Sequence, residues 1–324
     1  MAQAIDMHCD TIMKLYREKK EGKPYSLREN DGQVDLMKLR KGNYLTQNFA
    51  MFVYMDGTTD PYHTCHEMMD VFDAELSANS DMVMQVRNAQ DILRARASGK
   101  VGALLTIEEG GVCRGSLSAL QEFYDRGARM MTLTWNFENE IGYPAALAAA
   151  SADGASMGLK PFGVELVQKM EELGMIIDVS HLSDAGFYDV LKYTKAPFVA
   201  SHSDARALCP HQRNLTDEMI RALAERGGVI GLNYCASFLA QQQRDAMATI
   251  EQIAAHAKHI AKVGGIGCLG LGSDFDGIGN PVEMQDASGM IRLSDGLRKA
   301  GFHESEVDAI FSGNVMRIYE EILR

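Results

Sequence analysis

Side chains that can bind divalent metal ions fall directly after short apolar runs of this sequence. His8 and Asp10 follow the first run as His-x-Asp, and residues two apart on an extended chain point to the same side. Imidazole nitrogen and carboxylate oxygen are ligands that zinc accepts where no thiolates are offered. The candidates found at the ends of such runs are His8, Asp10, Glu108, Glu109, His181, His202, Asp274 and Asp276.

The size of this set indicates two ions. The histidines and carboxylates exceed what one open tetrahedral zinc site uses, and they suit two ions about 3.5–4 Å apart that share a carboxylate and a water. Such a pair acidifies the water and polarises a carbonyl oxygen, while a nearby Asp accepts a proton and returns it to a leaving amine. The sequence therefore predicts metal-assisted hydrolysis of an amide or a related C–N bond.

The apolar runs predict the strands that position these residues. Each run is short, is bounded by polar residues or glycine, and alternates with helical patterns, which is typical of parallel strands buried on both faces. This alternation favours a (β/α)8 barrel over a doubly wound open sheet, and barrel enzymes carry their active sites at the carboxyl ends of the strands. The eight runs are Ala4–Met7, Leu45–Tyr54, Val101–Ile107, Ala128–Thr134, Met175–Val179, Phe198–Ser201, Val229–Asn233 and Cys268–Gly272.

Helical patterns lie between and after these runs. Start and stop signals include a proline at the beginning of 161–173 and a glycine directly after it. We expect one barrel domain over residues 1–324, with extra helices at the C-terminal end. The predicted helices are Leu117–Arg126, Pro161–Leu173, Ser183–Lys192, Thr216–Arg226, Ile250–Val263, Glu304–Phe311 and Val315–Leu323.

The composition excludes several classes of protein. The chain has 324 residues with 32 Lys and Arg against 44 Asp and Glu, a formal charge of −12 that disfavours nucleic-acid binding. No basic segment followed by an apolar one opens the sequence, and no run has the ~18–20 apolar residues of a membrane span. Six scattered cysteines contain no CxxC pair. We therefore expect a cytoplasmic protein with free thiols that binds neither membrane nor nucleic acid.

An ordered series of short motifs resembles the membrane (renal) dipeptidase family, peptidase family M19 of the metal-dependent amidohydrolase superfamily. The motifs are HCD at 8–10, EEGG at 108–111, DVSH at 178–181, SHSDAR at 201–206, QRN at 212–214 and GSDFDG at 272–277. The resemblance extends over nearly the whole chain, and it implies a (β/α)8 barrel with two zinc ions that hydrolyses dipeptides. It assigns His8 and Asp10 to the first zinc, Glu109 to the bridge between the ions, and His181 and His202 to the second zinc.

The resemblance also assigns residues that act on the substrate. Asp274 is the expected proton-transfer group, and Arg213 is expected to hold a substrate oxygen, either the carboxylate or the scissile carbonyl. Tyr234 is expected to line the pocket. Because adjacent strand residues point in opposite directions, Glu108 is interpreted as structural when Glu109 takes the inward position.

One residue departs from the pattern of the family. Well-studied animal members read TLTH after the fourth strand, where this chain reads TLTW with Trp135. Indole offers one N–H donor and no charge, so this substitution puts substrate preference in question while leaving the metal ligands in place. Trp135 is interpreted either as a substrate-binding residue or as a core residue, and Asn136 is the candidate to supply the lost contact.

Three functions remain open on the sequence. The first is a zinc dipeptidase, with L,D-dipeptides among its substrates and a homodimer as the common assembly of the family. The second, which the Trp135 substitution motivates, is a related amidohydrolase that acts on N-acyl amino acids or cyclic amides. The third is a barrel without catalytic activity that binds a ligand or partner.

Overall fold

Nine parallel strands form one sheet in the described part of the chain, and eight of them close into a barrel. The computed structural model describes residues 2–24, 26–55, 57, 60–241 and 245–324. Around the barrel the strands follow the order β1, β2, β4, β5, β6, β7, β8, β9, and β9 pairs again with β1. The strands are β1 (Ala4–Asp6), β2 (Tyr44–Phe52), β3 (Val83–Val86), β4 (Val101–Glu108), β5 (Met130–Thr132), β6 (Ile176–Asp178), β7 (Val199–Ala200), β8 (Val229–Leu232) and β9 (Leu269–Leu271).

The eight barrel strands coincide with the eight predicted apolar runs, so the predicted (β/α)8 barrel is confirmed. The sequence patterns did not predict β3. This strand pairs with the amino-terminal half of β4, from Val83 opposite Val101 to Val86 opposite Leu104. The carboxyl-terminal half of β4 pairs with β5 instead, so β3 lies outside the closed ring.

Fourteen α-helices surround the strands in the described residues. The predicted helices at 117–126 and 161–173 are confirmed residue for residue, and the glycine after the second one has the left-handed conformation that commonly ends a helix. None of the described helices has the length and apolar character needed to cross a membrane. The helices are Thr11–Lys20, Leu36–Lys41, Pro61–Ala78, Ala89–Ala97, Leu117–Arg126, Ala145–Ala150, Pro161–Leu173, Asp184–Tyr193, Asp217–Glu225, Ala236–Leu239, Ile250–Gly264, Met290–Lys299, Glu304–Asp308 and Asn314–Ile322, numbered α1 to α14.

The last helix, α14, covers the amino-terminal end of the barrel. Its residues Ile318 and Tyr319 belong to the same buried cluster as the side chains inside the barrel. The Tyr319 hydroxyl donates to Asn48 Oδ1 of β2 at 2.7 Å, and Ile322 lies against Gly174, just before β6 begins. The predicted C-terminal helices are thus confirmed, and they leave the opposite, carboxyl-terminal end of the strands for the candidate site.

Candidate metal centre

Three histidines and one glutamate converge at the carboxyl end of the barrel. His181 Nε2 lies 3.1 Å from His202 Nε2 and 3.1 Å from Glu108 Oε1. His8 Nε2 lies 3.3 Å from Glu108 Oε2, and the rings of His8 and His202 are 3.9 Å apart between centroids. All four side chains are buried. These atoms are close enough for one carboxylate to contact two ions held by different histidines.

The glutamate at this position is Glu108, so the orientation predicted for Glu108 and Glu109 is wrong. Glu108 is the last residue of β4, and its side chain points into the barrel. Glu109 has already left the strand with a φ of 90°, so the alternation of strand side chains no longer applies to it. Its carboxylate accepts hydrogen bonds from the backbone N–H of Gly111 and Trp135, both at 2.8 Å, and from the Asn139 amide. Glu109 therefore orders the loop after β4 and does not face the histidines.

Two aspartate–serine pairs hold the ends of neighbouring strands together beneath the ligands. Asp6 accepts from the Ser273 backbone N–H at 2.9 Å and the Ser273 hydroxyl at 2.6 Å, which joins the ends of β1 and β9. Asp178 accepts in the same way from Ser201, at 2.8 and 2.6 Å, which joins the ends of β6 and β7. In both places the two neighbouring strands are paired through only one residue of each strand, so the aspartate–serine hydrogen bonds add to a short backbone pairing.

The second pair also sets the orientation of a histidine. Ser201 donates its hydroxyl proton to Asp178 and therefore accepts from His202 Nδ1, 2.7 Å away. His181 Nδ1 lies 3.2 Å from Asn136 Oδ1, an acceptor, and burial lowers the pKa of both histidines well below the usual range. Both rings are then neutral with the proton on Nδ1, so two Nε2 lone pairs face each other. A cation bound between the two nitrogens would accept both lone pairs, whereas neither nitrogen has a proton to donate to the other.

We expect Ser201→Ala to weaken metal binding without removing any ligand. Loss of the hydroxyl frees His202 to rotate and to change its tautomer, and partners of this kind contribute roughly 10–100-fold to metal affinity. Competition with a zinc-binding dye measures the affinity independently of activity. Ser180→Ala is the matched control, because Ser180 Oγ accepts from the His202 backbone N–H and not from the ring. Equal zinc affinity in the wild type and Ser201→Ala would contradict the positioning role.

Two further acidic candidates, Asp10 and Asp274, lie close to His8. Asp10 Oδ2 is 3.7 Å from His8 Nε2, and ligand atoms of His8, Asp10 and Asp274 lie within 4.8 Å of one another. Asp274 Oδ2 accepts from the Asn233 amide at 3.0 Å. A methyl group at Gly277 would overlap both Asp10 and Asp274, so this glycine leaves room beside the carboxylates that a larger residue would fill.

The donor set fits a pair of divalent ions such as zinc. Among the described residues, His8 Nδ1 and Asp10 Oδ1 have no hydrogen-bond partner although both atoms are buried, and His8 Nε2 faces the carboxylates of Glu108 and Asp10. Burial raises the pKa of Glu108 to about 8 and that of Asp274 to about 6, since ionised carboxylates are disfavoured away from water. Buried carboxylates that lie close to one another and to imidazole nitrogens are the environment that a cation stabilises.

Four residues at this end of the barrel have left-handed backbone conformations that non-glycine residues seldom adopt. The φ angles are 90° at Glu109, 68° at His181, 61° at Asp274 and 64° at Asp276. Each conformation turns the chain sharply as it leaves a strand. The strain of such residues is found at functional sites where surrounding contacts hold it in place.

The three predicted substrate-binding residues, Arg213, Trp135 and Tyr234, have different surroundings in the structure. The Arg213 guanidinium is buried beside the cluster and donates to the His202 carbonyl at 3.2 Å, while its Nε has no partner among the described residues. Trp135 is half-buried, with its ring 6.1 Å from that of His181. Tyr234 is wholly buried against Phe275 in the core, so the prediction that it lines the pocket is wrong.

Three further polar residues contact the candidate site residues, and of these the sequence suggests a role only for Asn136. Asn136 contacts His181, Ser201 contacts His202, and Asn233 contacts Asp274. Each follows a predicted strand or ends one, and that position was the available signal. Asp276, in contrast, accepts from the Thr11 hydroxyl and the Gln33 backbone N–H, both at 2.7 Å, and it fixes loops away from the histidines.

Comparison with known proteins identifies similar chains. A sequence model of the membrane dipeptidase family, peptidase family M19, matches residues 1–323. An uncharacterized dipeptidase of Schizosaccharomyces pombe is 33% identical over 303 residues, which cover 89% of this chain and 72% of that protein. A metallo peptidase from Rhodobacter sphaeroides, crystallised with a phosphinate mimic of the dipeptide L-Ala-D-Ala, is 25% identical with a TM-score of 0.89. A dipeptidase AC of peptidase family M19 is 25% identical with a TM-score of 0.88, and both of these alignments cover 99% of each chain.

Proposed function

The chain belongs to the membrane dipeptidase family, peptidase family M19, and from this membership we propose that it hydrolyses dipeptides at a two-zinc centre, with Asp274 as the proton-transfer group. The observation that carries the proposal is the convergence of His8, Glu108, His181 and His202 at the carboxyl end of the barrel. We propose His8 and Asp10 as ligands of one zinc, His181 and His202 as ligands of the other, and Glu108 as the bridge.

Zinc ions held by these residues would supply a strong nucleophile from water at neutral pH and would polarise the scissile carbonyl. Arg213 binds a negatively charged or polarised substrate oxygen, and its unpaired Nε is available for this contact. Asp274, oriented by Asn233, takes a proton from the attacking water and delivers it to the nitrogen of the departing amino acid. The buried site excludes bulk water, which strengthens each of these electrostatic contacts.

We propose dipeptides with an L-residue followed by a D-residue among the substrates. The support is the metallo peptidase from Rhodobacter sphaeroides, which has a similar fold and binds a mimic of L-Ala-D-Ala. The second candidate is hydrolysis of N-acyl amino acids or cyclic amides. Trp135 favours it, because an apolar ring stands where the animal family members have a histidine. A panel of L,L-dipeptides, L,D-dipeptides and N-acyl amino acids discriminates between the two.

We expect protein purified without exposure to a chelator to contain two zinc ions per chain and to release free amino acids from dipeptides. Elemental analysis by mass spectrometry gives the metal content, and amino-acid chromatography gives the products. Chelation should abolish hydrolysis, and added zinc should restore it. Fewer than one ion per chain, or full zinc occupancy without hydrolysis of any dipeptide, would contradict the proposal.

A further inference from the structure

Four aromatic rings lie near the candidate metal-binding residues at the carboxyl end of the barrel. Phe52 and Tyr54 come from the end of β2, and Trp135 and Phe137 come from the segment after β5. The Trp135 ring lies 5.0 Å from Phe52, 5.4 Å from Tyr54 and 5.7 Å from Phe137, measured between centroids. We call these four residues the aromatic panel. Trp135 is the member of the panel that lies next to the candidate metal centre, beside the ring of His181.

The aromatic panel presents apolar surface to solvent. Tyr54 is 44% exposed, and Trp135 and Phe137 are half-buried, whereas Phe52 packs beneath them. The Trp135 backbone N–H donates to Glu109, so the loop that carries the indole is tied to the end of β4. Preformed apolar surface with a few convergent polar groups is the usual construction of a small-molecule site. The panel therefore has the properties of a wall for an apolar group of the substrate.

The order of the strands places Arg213 across the mouth from this wall. The panel arises from β2 and β5, which flank β4, whereas Arg213 lies in the segment between β7 and β8. Because Arg213 precedes α9, it follows the carboxyl end of β7, and in the closed ring of eight strands β7 lies opposite β2, which carries Phe52 and Tyr54. The ligands lie between the two sides, since Glu108 ends β4 and Arg213 contacts the His202 carbonyl.

We propose that the aromatic panel binds the side chain of the amino-terminal residue of the dipeptide and selects large apolar residues there. This inference rests on the proposed function. A dipeptide whose carboxylate meets Arg213, with its peptide bond over the ligands, extends its amino-terminal residue towards the panel. Phenylalanine or leucine at that position covers indole and phenyl surface, which alanine is too small to do.

The test is a matrix of kcat/KM values for dipeptides X-Ala and Ala-X, in which Ala has either configuration. We expect kcat/KM for Phe-Ala and Leu-Ala to exceed that for Ala-Ala by roughly 10–100-fold, the range that apolar pockets achieve for added carbon atoms. Enlarging the carboxyl-terminal residue in Ala-X should change kcat/KM by less than about threefold, because that residue points away from the panel.

Variants connect the preference to the aromatic panel. Trp135→Ala should reduce the ratio of kcat/KM for Phe-Ala over Ala-Ala by about fivefold or more, mainly through KM, and Trp135→Phe should retain most of it. Phe137→Ala tests the panel again if Trp135→Ala does not fold. Tyr193→Ala is the matched control, because this exposed aromatic residue lies at the end of α8. Zinc content and circular dichroism verify each variant.

The outcomes separate this inference from the proposed function. A preference for large apolar amino-terminal residues that disappears in Trp135→Ala supports the panel. Three results would overturn the role of the panel without contradicting dipeptidase activity. They are dipeptide hydrolysis without such a preference, a preference governed by the carboxyl-terminal residue, and a preference unchanged in folded Trp135→Ala and Phe137→Ala. If no dipeptide is hydrolysed at full zinc occupancy, the proposed function fails together with it.

Discussion

Replacing Asp274 with asparagine should lower kcat by about 10²–10⁴-fold while the zinc content stays equal to that of the wild type. The amide has the shape of the carboxylate and can still accept from Asn233, so the geometry of the site is retained. It is not basic enough to take a proton from water, and it has no proton to return to the leaving nitrogen. Steady-state kinetics on a dipeptide, with zinc content measured on the same sample, checks the expectation.

Asp276→Asn is the matched control for this experiment. Asp276 lies two residues further along the same GSDFDG motif, but its carboxylate binds Thr11 and the Gln33 backbone. We expect this variant to lose about 1–3 kcal/mol of stability, because one acceptor becomes a donor facing other donors, and to keep kcat near the wild-type value. A kcat for Asp274→Asn within tenfold of the wild type, at full zinc occupancy, would remove Asp274 from the mechanism.

Replacement of Glu108 and replacement of the adjacent Glu109 should differ strongly in their effect on zinc affinity. Glu108→Gln should reduce the zinc affinity by more than about 100-fold, because a neutral amide neither bridges two cations nor offsets their charge; groups outside the ligand shell alone contribute 10–100-fold. Activity should be lost with the metal. Zinc titration followed by calorimetry gives the affinity, and the zinc remaining after dialysis gives the stoichiometry.

Glu109→Gln should behave in the opposite way. Its carboxylate receives three N–H donors, and an amide would point its own N–H groups at some of them. We expect a loss of about 1–3 kcal/mol in the free energy of unfolding, with two zinc ions retained. Urea denaturation measures the stability. Loss of zinc in Glu109→Gln and retention in Glu108→Gln would return the bridging role to Glu109.

The same pair shows how far the sequence determines the site. Leu104, Thr106 and Glu108 are alternate residues of one buried strand, with Leu105 and Ile107 between them. Inward-facing Leu104 belongs to the cluster inside the barrel, whereas Leu105 and Ile107 belong to the cluster between strands and helices. Alternation counted from Leu104 points Glu108 inward, opposite to the orientation that the sequence analysis assigned to it. The choice of Glu109 came from the resemblance, as the glutamate directly before the two glycines. The strand ends between the two glutamates, and the hydrogen bonds of the loop that follow this boundary are not visible in the residue types.

The fold was more predictable than the site for a physical reason. Strands buried on both faces are continuous apolar runs, and eight such runs were recognised. In β3 the residues Met84 and Gln85 are half-buried, which weakens the pattern. Tyr234 was misplaced because a tyrosine near a strand end can point into the core as well as into a pocket. Asn136 and Asn233 act through contacts between distant segments, which spacing along the chain does not encode.

The left-handed backbone at His181, Asp274 and Asp276 has an evolutionary consequence. Glycine adopts this conformation without a steric penalty, so each of these positions would gain roughly 1 kcal/mol of backbone stability from a substitution to glycine. At His181 and Asp274 that gain would remove a side chain proposed for catalysis. Under the proposed function, selection for activity retains these two side chains. A descendant barrel released from hydrolysis should drift to glycine at His181 and Asp274 early, whereas the hydrogen bonds of Asp276 to Thr11 and Gln33 would still favour the aspartate. Glycine at His181 or Asp274 would mark a relative that has exchanged catalysis for stability.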